Sequence, residues 1–220
     1  VDILNPLAIR RKFMLQASTE DEGDVPVDYQ RVDYLENSGT QWIATDYRMT
    51  AADDVQITVD FAFTAPQTVN GVLFGCMPGK LREQQVFLEY YGGDWYAANG
   101  KWKGNNTSDI GSVLNVRHHA VISSHMLTID GIGISTIATN LSIRDLSTMY
   151  LFAWHQQSGA KDINQGVRIY NLKFVVNGIT EANFVPVVQQ PGNRAGMFDT
   201  ISQKFYTNSG TGHFITGSAV

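Results

Sequence analysis

From residue 55 the chain alternates between apolar and polar positions. Val55, Ile57, Val59, Phe61 and Phe63 fall on one side of the pattern, with Gln56, Thr58 and Asp60 between them. This period of two predicts a strand with one face in a core. Residues 71–77 are apolar throughout and predict a central strand. Residues 86–91 and 95–98 flank Gly92-Gly93-Asp94, which predicts a hairpin, because adjacent glycines supply the backbone that a tight turn needs. Residues 100–112 are polar and glycine-rich and read as a loop. Residues 117–123 and 126–131 predict the next strand pair, and 149–154 another core strand. Residues 167–176 alternate cleanly and turn at Asn177-Gly178. Many short strands between turn residues, with no long helix after residue 20, predict an all-β fold of two packed antiparallel sheets.

The start of the chain has a different pattern. Asn5 can cap a helix whose first turn begins at Pro6. Leu7, Met14 and Leu15 then share one face, with Ile9 and Phe13 adjacent at i, i+4. So short a helix is marginal alone in water. It is expected to dock on its own sandwich or on a partner, through Leu7, Arg10, Arg11, Phe13, Met14 and Leu15. Residues 18–24, with Glu20, Asp21, Glu22 and Asp24, read as a solvated acidic linker. The expected division is an arm and linker over 1–28 and a sandwich over 29–220.

Two stretches carry a resemblance. The first runs from Tyr34 through Asn37-Ser38-Gly39 to Trp42, Ile43 and Tyr47. The second comprises Asn183-Phe184-Val185-Pro186, Gly196-Met197-Phe198-Asp199 and the run from Lys204 through Asn208-Ser209-Gly210-Thr211-Gly212 to Phe214. Residues 117–131, 149–154 and 167–174 fall between them in matching order. Together these blocks resemble the concanavalin A-like (laminin-G-like) jelly-roll modules of phages and of gut-bacterial surface proteins. The resemblance implies a two-sheet jelly-roll sandwich over roughly 29–217. It also makes Tyr34-Leu35 and Trp42-Ile43 the first strand pair, closed by Phe198, Phe205, Tyr206 and Phe214. Such sandwiches bind sugars, cleave them or build assemblies, so function rests on the site.

The chain has 220 residues and a formal net charge of −5. That balance argues against nucleic-acid binding, which needs a basic face. The one cysteine, Cys76, lies in the apolar run and is expected in the core, with no intramolecular disulfide. No apolar run approaches the roughly 20 residues of a membrane span. The first residues show no export leader, which suits a protein released by host lysis.

Glucanases of this fold carry Glu-x-Asp-x-x-Glu on one strand, and this chain has no such motif. Asp60 and Glu89 are expected to fill polar positions of their strands. His118 and His119 are adjacent and point to opposite faces of a strand. His125, His155 and His213 lie far apart, so no metal-ligand spacing is present. No cofactor is implied. Calcium remains open through Asp109, Asp130 and Asp162, which can lie near a sandwich rim. For sugar binding, the candidates are Tyr91, Asp94, Trp95, Asn99 and Trp102, because aromatic faces beside carboxylates and amides suit a pyranose. The plainer reading, and the preferred one, has Tyr90, Trp95 and Tyr96 filling a sheet face or an interface.

The first expectation is therefore a non-enzymatic phage virion protein that decorates a capsid or tail and is fastened to other virion proteins or to itself by its arm. The second is a carbohydrate-binding adhesion module on a phage or bacterial surface, with host glycans as partners. A glycoside hydrolase requires distant carboxylates to converge in one cleft.

Overall fold

The computed structural model describes residues 24–50, 52, 54–67, 70–77, 85–100, 102–123, 126–135, 139–140, 147–156, 158–163 and 165–220. The arm residues Leu7, Arg10, Arg11, Phe13, Met14 and Leu15 lie outside them. The first strands are β1 (Tyr29–Arg31), β2 (Leu35–Ser38), β3 (Ile43–Ala44), β4 (Val55–Phe63) and β5 (Gly71–Cys76). There follow β6 (Val86–Tyr91), β7 (Asp94–Asn99), β8 (Trp102–Thr107), β9 (His118–Ser123) and β10 (Met126–Ile129). Next are β11 (Ile132–Ser135), β12 (Thr139–Asn140), β13 (Tyr150–Leu151), β14 (Trp154–Gln156) and β15 (Gly159–Lys161). The last are β16 (Gln165–Val176), β17 (Ile179–Gln189), β18 (Arg194–Asp199), β19 (Lys204–Thr207) and β20 (Ile215–Thr216).

Two sheets face each other. The first runs β11-β10-β9-β4-β16-β17-β18-β19, with β1 on β17 and β2 between β16 and β20. The second runs β12-β8-β7-β6-β5-β13-β3, with β14 joining β5 in a parallel step and carrying β15. All other strand pairs are antiparallel among the described residues, and the fold is a jelly-roll sandwich.

Alternation places the core between the sheets. Val55, Ile57, Val59, Phe61 and Phe63 of β4 meet Leu73, Phe74 and Cys76 of β5 and Leu88 of β6. Cys76 is fully buried, and burial pushes its thiol up to about 12. His118 turns inward, its Nδ1 2.7 Å from Asp130 Oδ2, while Nε2 is buried without a partner among the described residues. His119 turns out to Asp60.

Three expectations change. Residues 102–107, read as part of a loop, form β8, whose polar backbone pairs with β7. Phe152, with a left-handed φ of 63°, breaks the expected 149–154 strand into β13 and β14. Tyr34-Leu35 and Trp42-Ile43 are not a strand pair. Leu35 pairs with Ile169 and Thr216 in the first sheet, whereas Ile43 pairs with Leu151 in the second. The turn at Asn37–Gly39 carries the chain from one sheet to the other. The polar side chains around it are satisfied where they stand: Gln41 Oε1 accepts from Ser38 N at 2.7 Å, and Asn37 Oδ1 from Val167 N at 3.0 Å.

The two end stretches are stitched to each other. Asn208 Oδ1 accepts from Trp42 N, Ser209 Oγ from Ala44 N, and Gln41 Nε2 donates to the Thr211 carbonyl. Gly210 passes so close to Thr40 that an added Cβ would sit 1.9 Å from its carbonyl oxygen. Val25 and Tyr29 pack on the outer face of the first sheet against Val185, Val187 and Phe198. The folded body thus takes in residue 25, which the sequence reading counted with the linker.

Candidate functional site

The β6–β7 hairpin divides the aromatic stretch into two faces. Its turn holds two residues, Gly92 and Gly93, both with positive φ. That fixes the register: Tyr91 opposes Asp94, Tyr90 opposes Trp95, and Glu89 opposes Tyr96. Opposed residues share a face. Tyr90 and Trp95 therefore turn into the core, while Tyr91, Glu89, Asp94 and Tyr96 turn outward.

Trp95 is 1% exposed, its ring against Phe61 and Phe63 and its indole N–H donating to the Ile110 carbonyl at 2.8 Å. It is a core residue and cannot stack on a sugar. Asn99 is likewise buried. These two candidates leave the site on grounds of burial. Trp102 lies in β8, its backbone paired with Asn140, and its side chain lies outside what is described. Tyr91, 47% exposed, and Asp94 remain on the outer face.

That face carries a second apolar cluster, Val72, Phe87, Ala98 and Trp154, with Met77 and Tyr96 packed on it. Trp154, from β14, lies over Gly75, where an added Cβ would touch its ring at 3.1 Å. Its ring centre is 4.3 Å from that of Phe87, and its indole N–H donates to Glu89 Oε2 at 2.7 Å. Above this floor opens a cleft of about 440 Å³, within the usual range for small ligands. Its walls include Asn70, Gln85, Glu89, Tyr91, Gln156 and Asp162, together with Tyr96 and Trp154. Asp94 sits beside it, accepting from Thr107 Oγ1 at 2.5 Å and from the Tyr96 hydroxyl at 3.3 Å. Desolvation and the neighbouring Asp94 carboxylate push the Tyr96 phenol upward, so it stays a donor.

Chemically, the cleft offers ring surface on its floor and amide and carboxylate groups on its walls. Sequence reasoning missed Gln156, read Glu89 only as a polar strand position and Trp154 as part of a core strand, and named Asp162 only for calcium. The hairpin register was a readable signal for Glu89, but nothing local in the sequence announces that β14 returns to the same face. Glu89 and Asp162 share the cleft wall. Among the described residues, no three His, Cys, Asp or Glu side chains gather to hold a metal ion. Asp130 is engaged by His118 and by the His119 amide.

No protein-family model matches the chain, and no curated protein matches its sequence. Solved structures do match its shape. A protein from Bacteroides ovatus ATCC 8483, provisionally described as carbohydrate binding, gives a TM-score of 0.52 at 9% identity, over 86% of this chain and 61% of that one. Domains LG4-5 of the mouse laminin alpha1 chain give 0.45 at 11% identity, over 74% and 45%. The binding domain of botulinum neurotoxin serotype D gives 0.40 at 12% identity, over 89% and 65%. In each case the chain spans less than two thirds of the solved chain. At such identity the likeness is one of fold, that of a two-sheet jelly-roll sandwich.

Proposed function

We propose that this chain is a non-catalytic carbohydrate-binding module, with the sugar lying on the outer face of the second sheet. The observation that carries the reading is the cleft over Trp154. There, ring surface from Tyr91 and Tyr96, over a floor that includes the buried Trp154, adjoins the amides of Asn70 and Gln156 and the carboxylate of Glu89. A pyranose presents an apolar face to rings and hydroxyls to such groups. The description of the Bacteroides ovatus neighbour as a carbohydrate-binding protein supports this class.

A panel of neutral oligosaccharides titrated calorimetrically against the chain tests it. Tyr91→Ala and Glu89→Gln are expected to weaken binding about tenfold or more, the loss of one hydrogen-bonded or stacked contact. Binding that both variants leave unchanged would remove this cleft. Hydrolysis of a bound oligosaccharide that Glu89→Gln abolishes would replace binding by catalysis.

A second reading, a virion protein held by its arm, is favoured by one observation. The first described residues are fixed to the sandwich, where Val25 is packed and the Asp24 carbonyl accepts from Gln203 Nε2. A segment starting there has a defined origin on the body, as a tether to neighbouring subunits requires. Comparing the solution mass of the intact chain with that of a version lacking residues 1–18 decides it. Assembly by the intact chain alone supports the tether, and equal monomers from both count against self-assembly through the arm.

A further inference from the structure

Beneath the cleft over Trp154 lies a polar side chain whose bonding is incomplete. Gln85 stands just before β6, two residues ahead of Phe87, and alternation gives it the same outer face as Phe87, Glu89 and Tyr91. It is 2% exposed, and its backbone carbonyl accepts from Gly100 N at 2.7 Å. Its Nε2 donates at 2.9 Å to the sulfur of Met77, a thioether and therefore a weak acceptor. Its Oε1 is buried with no hydrogen-bond partner among the described residues. Turning the amide over exchanges the two ends and still leaves one of them unpaired. Buried amides normally find partners for both, so this one is held ready for a partner that the chain does not supply.

The floor around it is apolar. Met77, Phe87 and Trp154 belong to the outer cluster and line the cleft with Gln85. Met77 is half-buried, unbranched and easily repacked, which makes it a movable cover over the amide. A recess with apolar sides and a polar end fits an arm made of a methylene and then a hydroxyl. A hydroxyl both donates and accepts, so it meets either orientation of the amide, and it is a better partner than sulfur. The exocyclic hydroxymethyl group of a hexose is such an arm. A ring hydroxyl is not, because it cannot reach below a ring that rests on Tyr91 and Tyr96.

We propose that Gln85 makes this cleft selective for hexoses over pentoses. The hydroxymethyl group displaces the Met77 sulfur and bonds the Gln85 amide, and its methylene packs on Phe87 and Trp154. The proposal rests on the carbohydrate reading of the cleft and names the class of sugar that it takes.

Chemical-shift titrations of the isotope-labelled full chain test it with four probes. Methyl β-glucopyranoside and methyl β-galactopyranoside are each set beside the pentoside that lacks only the hydroxymethyl group, methyl β-xylopyranoside and methyl α-L-arabinopyranoside. The Gln85 side-chain amide is followed directly, its signal identified by its loss in Gln85→Met. At least one hexoside is expected to shift residues 86–96 and the Gln85 side-chain amide saturably. Its pentoside should bind about tenfold or more weakly, the worth of one hydrogen bond to a hydroxyl. Gln85→Met should bring the hexoside down to the level of the pentoside. Its thermal midpoint should hold or rise, because the variant removes an unpaired buried polar group. A pentoside that binds as well as its hexoside, a Gln85 amide that ignores a bound hexoside, or a hexoside preference kept in Gln85→Met would each overturn the role of Gln85 and leave the carbohydrate reading standing. Silence from all four probes at residues 86–96 would overturn it too, and the oligosaccharide panel then decides the carbohydrate reading by itself.

Discussion

At the scale of single residues, two tryptophans change places. The candidate platform, Trp95, is a core residue, and Trp154, read as part of a core strand, floors the outer cleft. Alternation assigns residues to two faces but does not say which face is the core, and here both faces of the second sheet are apolar. The hairpin register carries the missing information for Trp95, since it must share a face with Tyr90. Trp95→Ala is accordingly expected to lower stability by about 3–5 kcal/mol in denaturant titrations. A loss below about 1 kcal/mol would contradict its place in the core.

Asp60 and His119 carry a pH signature. Burial by itself raises Asp60, but hydrogen bonds from His119 and Arg117 outweigh it and hold the carboxyl below its ordinary 3.8. The Asp60 hydrogen bond raises His119 above its ordinary 6.5, against partial burial. A raised histidine contributes stability that is complete below its unfolded value and lost as pH rises through the folded one. A lowered carboxyl contributes stability present above its unfolded value and lost as pH falls through the folded one. The pair is therefore most effective between these limits. The stability difference between the wild type and His119→Gln should peak near pH 5 and shrink toward both pH 8 and pH 2.5. His119 is half exposed, so the peak is small. A difference that grows toward pH 8 would refute the pairing.

At the scale of elements, legibility followed burial. β4 and the run 167–176 within β16 were readable because each buries one clean face. β8 was not, because its residues 102–107 carry polar and glycine positions that look like a loop, and only pairing with β7 makes them a strand. The 34–47 stretch was legible as a unit but not as a crossing between sheets. Its contact with the 208–212 loop explains why both stretches belong to one signature, since each supplies the other's hydrogen-bond partners. Gly210→Ala tests this coupling. The close approach to Thr40 leaves no room for a methyl group, and the loop must move. A loss of roughly 1–3 kcal/mol is expected. An unchanged denaturation midpoint would show that the two stretches are not locked together.

At the scale of the whole molecule, the two outer faces differ in character. The first sheet's face is tied together. Arg168 pairs with Glu36 at 2.6 Å and lies over Tyr34, and Arg117 pairs with Asp60 at 2.6 Å and lies over Tyr170. At its far end Val25 and Tyr29 cover Val185, Val187 and Phe198. The second sheet's face keeps its rings beside an open cleft. Residues 24–31 thus belong to the architecture, while what precedes them is a separate question, and truncation separates the two. Removing residues 1–23 should leave the thermal midpoint within about 2 °C, because the packed residues remain. Removing 1–31 also deletes Val25, Tyr29 and the pairing of β1 with Val187–Gln189. At about 1.5 kcal/mol for each partly buried side chain, that is roughly 3 kcal/mol, or about 6–12 °C for a chain of this size. Equal losses from both truncations would place stabilising contacts within residues 1–23 and make the arm part of the sandwich rather than a tether.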